Sequence, residues 1–402
     1  MKIYPLNQFL LLKKNTPSGV FAIYLNIAIR TTALSLVNIF IPIYLFLEAQ
    51  SYFGNDIIIG LYGVAAYYFI DRLAALIFTV PAAQFIFHFG FRGSIFLSNF
   101  FLVLTLVFLN AAAHNPIYFI LAAVAGGAVT PFYWIAYHTI FAGDGIIDNF
   151  GQEISRANII SSLAYVIGPG LGGVIIVFYG FPVLFVSALL IVLLSGLPFL
   201  FAPNLPQKNH PVSYPEILEW LKNPSHQNEE IAYFGRHIFE IVGGFFYPIF
   251  MFLIAKSFER IGFLTSLSFL LGIIATYFAG RAGDKYKGPW LLKFGSLVTF
   301  FIWLGRSLTT QFWQLATLDL SMKSLGAFYS VPFDSMTYQR SRNKDENVLT
   351  FITAREIIVS FVYFLTFFIV GLIIPFDWRW KGIFGLAALG SLLSIKMWEK
   401  ED

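Results

Sequence analysis

Of 402 residues, 57% are hydrophobic, 19% aromatic and only 12% charged. Soluble domains carry roughly a quarter charged, so a water-soluble globular core is excluded and a bilayer is the expected environment. The net charge of +4 reads as the cation excess of cytoplasmic loops rather than as a nucleic-acid surface, and the absence of cysteine excludes a disulfide framework and a thiolate metal site.

Apolar length and turn signals predict an all-α integral membrane chain of twelve transmembrane helices. Six are expected at about 19–48, 57–87, 93–113, 115–141, 157–179 and 181–202, and six more at about 231–255, 261–282, 289–308, 311–338, 350–374 and 379–398. The basic segment Met1–Thr16 precedes the first. The apolar run after it is too long for a signal-peptide core and contains Arg30, so it is read as a retained span. Between Arg92 and Asp144 there is no Lys, Arg, Asp or Glu, and from Ala157 to Pro206 not even a histidine. Each interval has room for two crossings of about 20 residues.

The longest hydrophilic interval, Pro203–Glu230, falls at mid-chain. It is expected to be a cytoplasmic linker, 203–230, between two six-helix repeats, 1–202 and 231–402. Two alignments support the duplication. Arg30 precedes Pro42 by the same offset that separates Arg236 from Pro248, and the fifth span from Ile159 aligns with the eleventh from Ile357. With the N-terminus inside, 16 Lys and Arg fall on cytoplasmic segments and span ends, 5 on outer ones and 5 within spans. That bias puts both termini in the cytoplasm, with the plasma (inner) membrane as the expected location.

Two local patterns stand out. The loop after the eighth span runs from Gly280 through Asp284 and Lys285 to Gly288, a carboxylate flanked by cations at a helix end. It suits a gate latch that changes partners, and equally a solvated turn obeying the charge bias. The equivalent first-half loop, Ala83–Arg92, lacks the Asp. The fifth span holds Gly168, Pro169, Gly170, Gly172 and Gly173, where glycines allow close helix approach and proline bends the span.

In these features the chain resembles the major facilitator superfamily of secondary transporters. The resemblance covers twelve spans in two halves, a loop similar to G-x-x-x-D-R/K-x-G-R-R, and the G-x-x-x-G-P-x-x-G-G motif of antiporter branches with Ala164 for the first Gly. It implies halves that rock around a midplane site lined by the first, fourth, seventh and tenth spans, and it links the fifth-span motif to proton-coupled export.

Ionisable groups at membrane depth are costly and mark candidate sites. Arg30 and Arg236 are repeat-related and, under the resemblance, face the cavity, where two guanidiniums suit an anionic substrate. Arg30 lies about 18 residues, or ~27 Å, from the outer end of its span, which favours snorkelling or gate pairing near the cytoplasm. Glu240, four residues after Arg236, and Lys323, four after Asp319, are read as pairs on a helix face, with Glu240 also a candidate proton site.

Asp71 adjoins Arg72, but neighbours on a helix point about 100° apart. Asp71 is therefore the first choice for a titrating carboxylate, with pairing to a neighbouring span as the alternative. Arg30, Arg236, Asp334 and Arg355 form either an inner gate network or separate interfacial charges, and Asp334 and Glu356 join the proton-coupling candidates. Trp134, His138 and Tyr329 are candidate cavity residues, against the competing claim that rings in such a chain pack toward lipid.

The sequence has no Walker loop, HExxH or Cys/His cluster, so neither cofactor nor metal is expected. The expected function is a secondary active transporter, not an enzyme, that exports a small organic solute with proton coupling. Its expected partners are substrate, protons and lipid, with a monomer as the working unit. Organic-anion uptake or exchange, and a polytopic sensor or enzyme without transport, are the alternatives.

Overall fold

A computed structural model of the chain describes residues 18–142, 150–200, 211–285, 290–342 and 348–398. Every regular element among them is helical. A bilayer core offers no water to backbone polar groups, and a helix satisfies its own.

Helices α1 (Ser18–Val37) and α2 (Ile41–Phe53) together cover the first expected span. They are parted by a turn over Asn38–Phe40. Pro42, in the first turn of α2, cannot return a hydrogen bond to the Asn38 carbonyl, yet its fixed φ suits a helix start.

Asp56 begins α3 (Ile57–Ala112) by accepting from the Ile58 N–H at 3.0 Å. Its 56 residues would measure about 84 Å if straight, against a hydrocarbon core of about 30 Å. The helix folds back at Gly90, whose φ of +79° glycine adopts without a Cβ penalty. The fold brings the Phe78 and Phe101 rings to 6.1 Å. After α4 (Ile117–Ala142), α5 (Phe150–Ser195) breaks at Gly180, also at φ +79°, and leads into α6 (Leu197–Leu200). Both glycines sit where the sequence separates one expected span from the next.

Within the expected linker, residues 201–210 lie outside the described residues, and Tyr214–Lys222 forms α7. The Ser213 side chain caps it, Ile217 and Trp220 are buried beneath it, and Thr350, from the second half, donates to Glu216.

The second half begins with α8 (Gln227–Ile241), earlier than the expected residue 231. A π-helical turn, Val242–Phe246, and α9 (Tyr247–Ala255) complete that span. Then come α10 (Phe258–Lys285), α11 (Trp290–Arg306), α12 (Phe312–Leu325), α13 (Ala327–Arg342), α14 (Val348–Ile373), α15 (Arg379–Leu393) and a 3-10 turn, Ser394–Trp398.

Seven stretches among the described residues are long and apolar enough to cross a bilayer, by length and composition, against twelve expected. The difference has two physical sources. α3 and α5 each count once although each contains a reversal, and α11, at 17 residues, α12, ended at Gly326, and α15, at 15 residues, are short.

α1 packs along α5, α3 along α4, and α15 against both α8 and α11; between the first and second halves of the chain, α5 lies along α10 and α3 along α14. Phe178, Phe301, Leu308 and Leu372 point outward while Phe40, Phe246, Phe367 and Phe384 are buried, an arrangement a lipid-facing exterior tolerates and water does not.

Candidate functional site

Aligning Pro42 on Pro248 sets Asn38–Phe40 on Gly244–Phe246. Both spans lose regular helix geometry in the turn before the proline. Asn38 is exposed, and a Cβ added at Gly244 would meet nothing within 4 Å. Interrupted helices near the midplane, beside open space, are where membrane transport folds place polar sites.

Where α3, α4, α8, α13 and α14 converge, nine Arg, His, Asp and Glu side chains among the described residues form one network. Arg236 of α8 donates to Glu240 Oε1 at 2.7 Å and to Asp334 Oδ1 of α13 at 2.6 Å, with its guanidinium 4.6 Å over the Phe333 ring. Nδ1 of His237 lies 2.9 Å from Glu240 Oε2. On α14, Arg355 donates to Glu356 Oε1 at 2.7 Å. That same oxygen stands 4.0 Å from Nε2 of His138 on α4, a contact between the two halves of the chain.

A second contact between the halves joins α3 to α14. Arg72 bonds Asp71 and lies 5.1 Å over the ring of Tyr363, whose other neighbour is the His237 ring at 5.9 Å. Glu356 feels the charges of both Arg72 and His237.

Isolated, each ion at this depth would cost several kcal/mol, which is why the charges are grouped. Their exposure differs. The side chains of Asp71 and Glu356 are nearly closed off, at 4% and 5%, whereas those of Glu240 and Asp334 keep 32% and 37% of their surface open.

Several expectations require correction. Arg30 faces no cavity and clamps nothing with Arg236. It is 3% exposed, bonds Asn99 and Ser98 on α3, and lies 3.9 Å over the Tyr133 ring of α4, all within the first half. It therefore lies apart from the charge network that holds Arg236, Asp334 and Arg355.

Tyr329 is 3% exposed and packs edge-on against Phe239 at 5.2 Å, so it is core rather than lining. Trp134 is 41% exposed and stacks on His138 at 5.3 Å. Asp71 does pair with its neighbour, because the long Arg72 side chain curls back along the helix. Asp319 does not pair with Lys323. It accepts from Arg306 of α11 at 3.2 Å and from Ser268 of α10 at 2.6 Å, beneath Tyr247 and Trp303.

Gly168 and Gly172 press α5 onto α1 at Ser35 and Leu36, and Gly173 presses it onto the Phe258 carbonyl of α10. The Gly170 N–H donates to Ser266 Oγ at 3.0 Å. The glycine motif thus packs one helix at once within its own half and across to the other, and Pro169 presents its carbonyl where Gly262 leaves room. Gly280, Asp284 and Lys285 end α10, but their side chains, and the loop 286–289, lie outside the described residues.

Sequence reasoning missed His237, although its spacing to Glu240 is a helix-face pair, and it missed Tyr363, which carries no charge to mark it.

No family model matches the sequence, and no curated protein matches it. Among solved structures, a D-xylose-proton symporter is similar with a TM-score of 0.67 and 13% identity, covering 95% of this chain and 97% of that one. The human organic anion transporter MFSD10 (TETRAN) is similar with a TM-score of 0.69 and 14% identity, covering 95% and 99%. Identities this low show the fold alone, which this chain shares with both of those transporters. With its apolar helices, the chain is a multi-pass integral membrane protein.

Proposed function

We propose that a chain with this fold is a secondary active transporter. In this reading two six-helix halves, 1–202 and 231–402, rock about the linker and expose a midplane site to each side in turn, with both termini in the cytoplasm. The coupling ion is the proton, and the net movement is export of a small organic solute.

One observation carries the coupling. Among the described residues the network holds four carboxylates, Asp71, Glu240, Asp334 and Glu356, against three guanidiniums, those of Arg72, Arg236 and Arg355. One more positive charge is needed for balance, and a single proton, shared between the His237 imidazole and the carboxylates around it, supplies it. An uncompensated charge in a low-dielectric interior is costly, and binding one proton removes it.

Glu356 is the member whose surroundings must change on rocking, since its contact with His138 crosses between the halves. Asp71 keeps Arg72 in any arrangement, so Glu356 replaces it as the coupling carboxylate. Protonation that favours the closed arrangement and release that favours the open one tie proton movement to rocking through differential stabilisation of two states.

The test uses proteoliposomes loaded with a pH-sensitive dye and presented with sugars, carboxylates and lipophilic cations. Wild type should move protons with a solute. Glu356→Gln should still exchange solute across the membrane but lose the proton movement, and Asp71→Asn should retain it. Proton movement that survives in Glu356→Gln removes this carboxylate from the mechanism. Organic-anion uptake is the second reading, favoured by the placement of Lys323.

A further inference from the structure

Lys323 ends α12 near the middle of the membrane. It stands eleven residues after Phe312, where the helix begins, or about 16 Å along its axis. The carboxylate on its own helix face, Asp319, is taken by Arg306 and Ser268. Among the described residues no carboxylate lies within ion-pair distance of Lys323; its Nζ lies instead 4.0 Å over the ring of Phe269 on α10.

That ring opens a row of contacts leading into the first half. Phe269 stacks on Tyr165 of α5 at 4.8 Å and 17°. The Asn38 amide, at the interruption between α1 and α2, donates to the Tyr165 hydroxyl at 2.9 Å. Lys323, Phe269 and Tyr165 are half-buried and Asn38 is exposed, so the row is not sealed within close-packed core.

A cation over one ring gains about 0.5–2 kcal/mol, and the charge of Asp319, which Lys323 shares with Arg306, adds to it, against the several kcal/mol that withdrawing an ammonium from water costs. The remainder can be met by a charge the protein does not itself carry.

We propose that Lys323, Phe269, Tyr165 and Asn38 form a binding subsite for an aromatic organic anion. Its carboxylate or sulfonate sits on the Lys323 ammonium, its ring lies against the Phe269 and Tyr165 pair, and a polar substituent meets the Asn38 amide. The row draws on α1 and α5 from one half and on α10 and α12 from the other, so a bound anion contacts both halves and its affinity depends on their relative position. Calling this anion the substrate rests on the transporter reading; the binding site itself rests on the geometry alone.

The test is calorimetric titration of purified full-length protein with 2-naphthoate and, in parallel, with 2-naphthalenemethanol, which has the same rings without the charge. Wild type should bind naphthoate. Lys323→Gln should weaken that binding by about tenfold or more, a change of 1.4 kcal/mol, while Lys323→Arg keeps it and the alcohol binds both forms alike. Melting temperatures of the two variants show whether each is folded, and Tyr165→Ala supplies an independent loss through the stacking partner.

Equal naphthoate binding by wild type and folded Lys323→Gln, or no binding by wild type, overturns the site. Transport is decided separately. If the vesicles move a neutral or cationic solute with Lys323→Gln unimpaired, the anion is not the substrate and the transporter stands. If naphthoate binds in a Lys323-dependent way but no solute moves, the transporter falls and the site stands.

Discussion

Arg30 and Arg236 occupy the same position in the two halves, each the same distance ahead of its proline, and the fold treats them in opposite ways. Arg30 is held by neutral side chains, Asn99 and Ser98, under Tyr133 and out of reach of the other half. Arg236 is held by two carboxylates that remain about a third open, one of them on another helix. Neutral partners fix a cation without responding to protons, whereas carboxylates can be protonated and released. The first arginine is therefore a packing element, and the second belongs to a network that can change state.

Replacing each arginine by methionine, close in volume and without charge, sharpens this contrast. The largest effect is expected from Arg236→Met. It leaves Glu240 and Asp334 facing one another without their shared cation, at a stability cost of about 2 kcal/mol once the 3–5 kcal/mol of a fully buried pair is discounted for exposure. Solute flux in proteoliposomes should fall by about tenfold or more. Flux close to wild type in a folded Arg236→Met protein would mean that the network is scaffolding.

Arg30→Met should do less. It removes a desolvated charge while keeping volume against Tyr133, and it strands only the Asn99 side-chain oxygen. The net stability change is expected within about 1–2 kcal/mol, with flux retained. Flux lost in a variant that melts near wild type would break the comparison, because Arg30 would then act beyond its own half.

The same two residues show how much of the molecule was legible in the sequence. The Arg-to-Pro spacing marked both interrupted spans, and the reversals at Gly90 and Gly180 fell between expected helices, because glycine and proline act on backbone geometry locally. The Arg236–Glu240 pair was legible for the same reason, being a contact along one helix face. Partners brought by tertiary packing were not. Asn99 and Ser98 lie in an interval without charge, so nothing in the sequence marked them as the place where Arg30 is held. Asp319 had Lys323 at ideal helix spacing, yet Arg306, at the end of the preceding helix α11, reaches it. Local spacing predicts a pair only when no better-placed partner arrives from another helix.

The smallest effect is the most discriminating. Asn99→Asp places a carboxylate beside Arg30 and makes its surroundings resemble those of Arg236. If a carboxylate partner alone conferred proton sensitivity, the variant should add a second proton-linked step to transport. The structure predicts otherwise. The new carboxylate would be buried where Asn99 is 7% exposed, and its desolvation would nearly cancel its attraction to Arg30, leaving a stability change of about 1 kcal/mol or less. It would also lose the Asn99 amide donation to Ser195. Among the described residues no contact of Arg30 crosses to the second half, so rocking would leave the new pair unchanged, and dye-loaded vesicles should record the wild-type number of protons per solute. A higher number would show that carboxylate chemistry suffices, and that the exposure of Glu240 and Asp334 and their links across the interface are incidental.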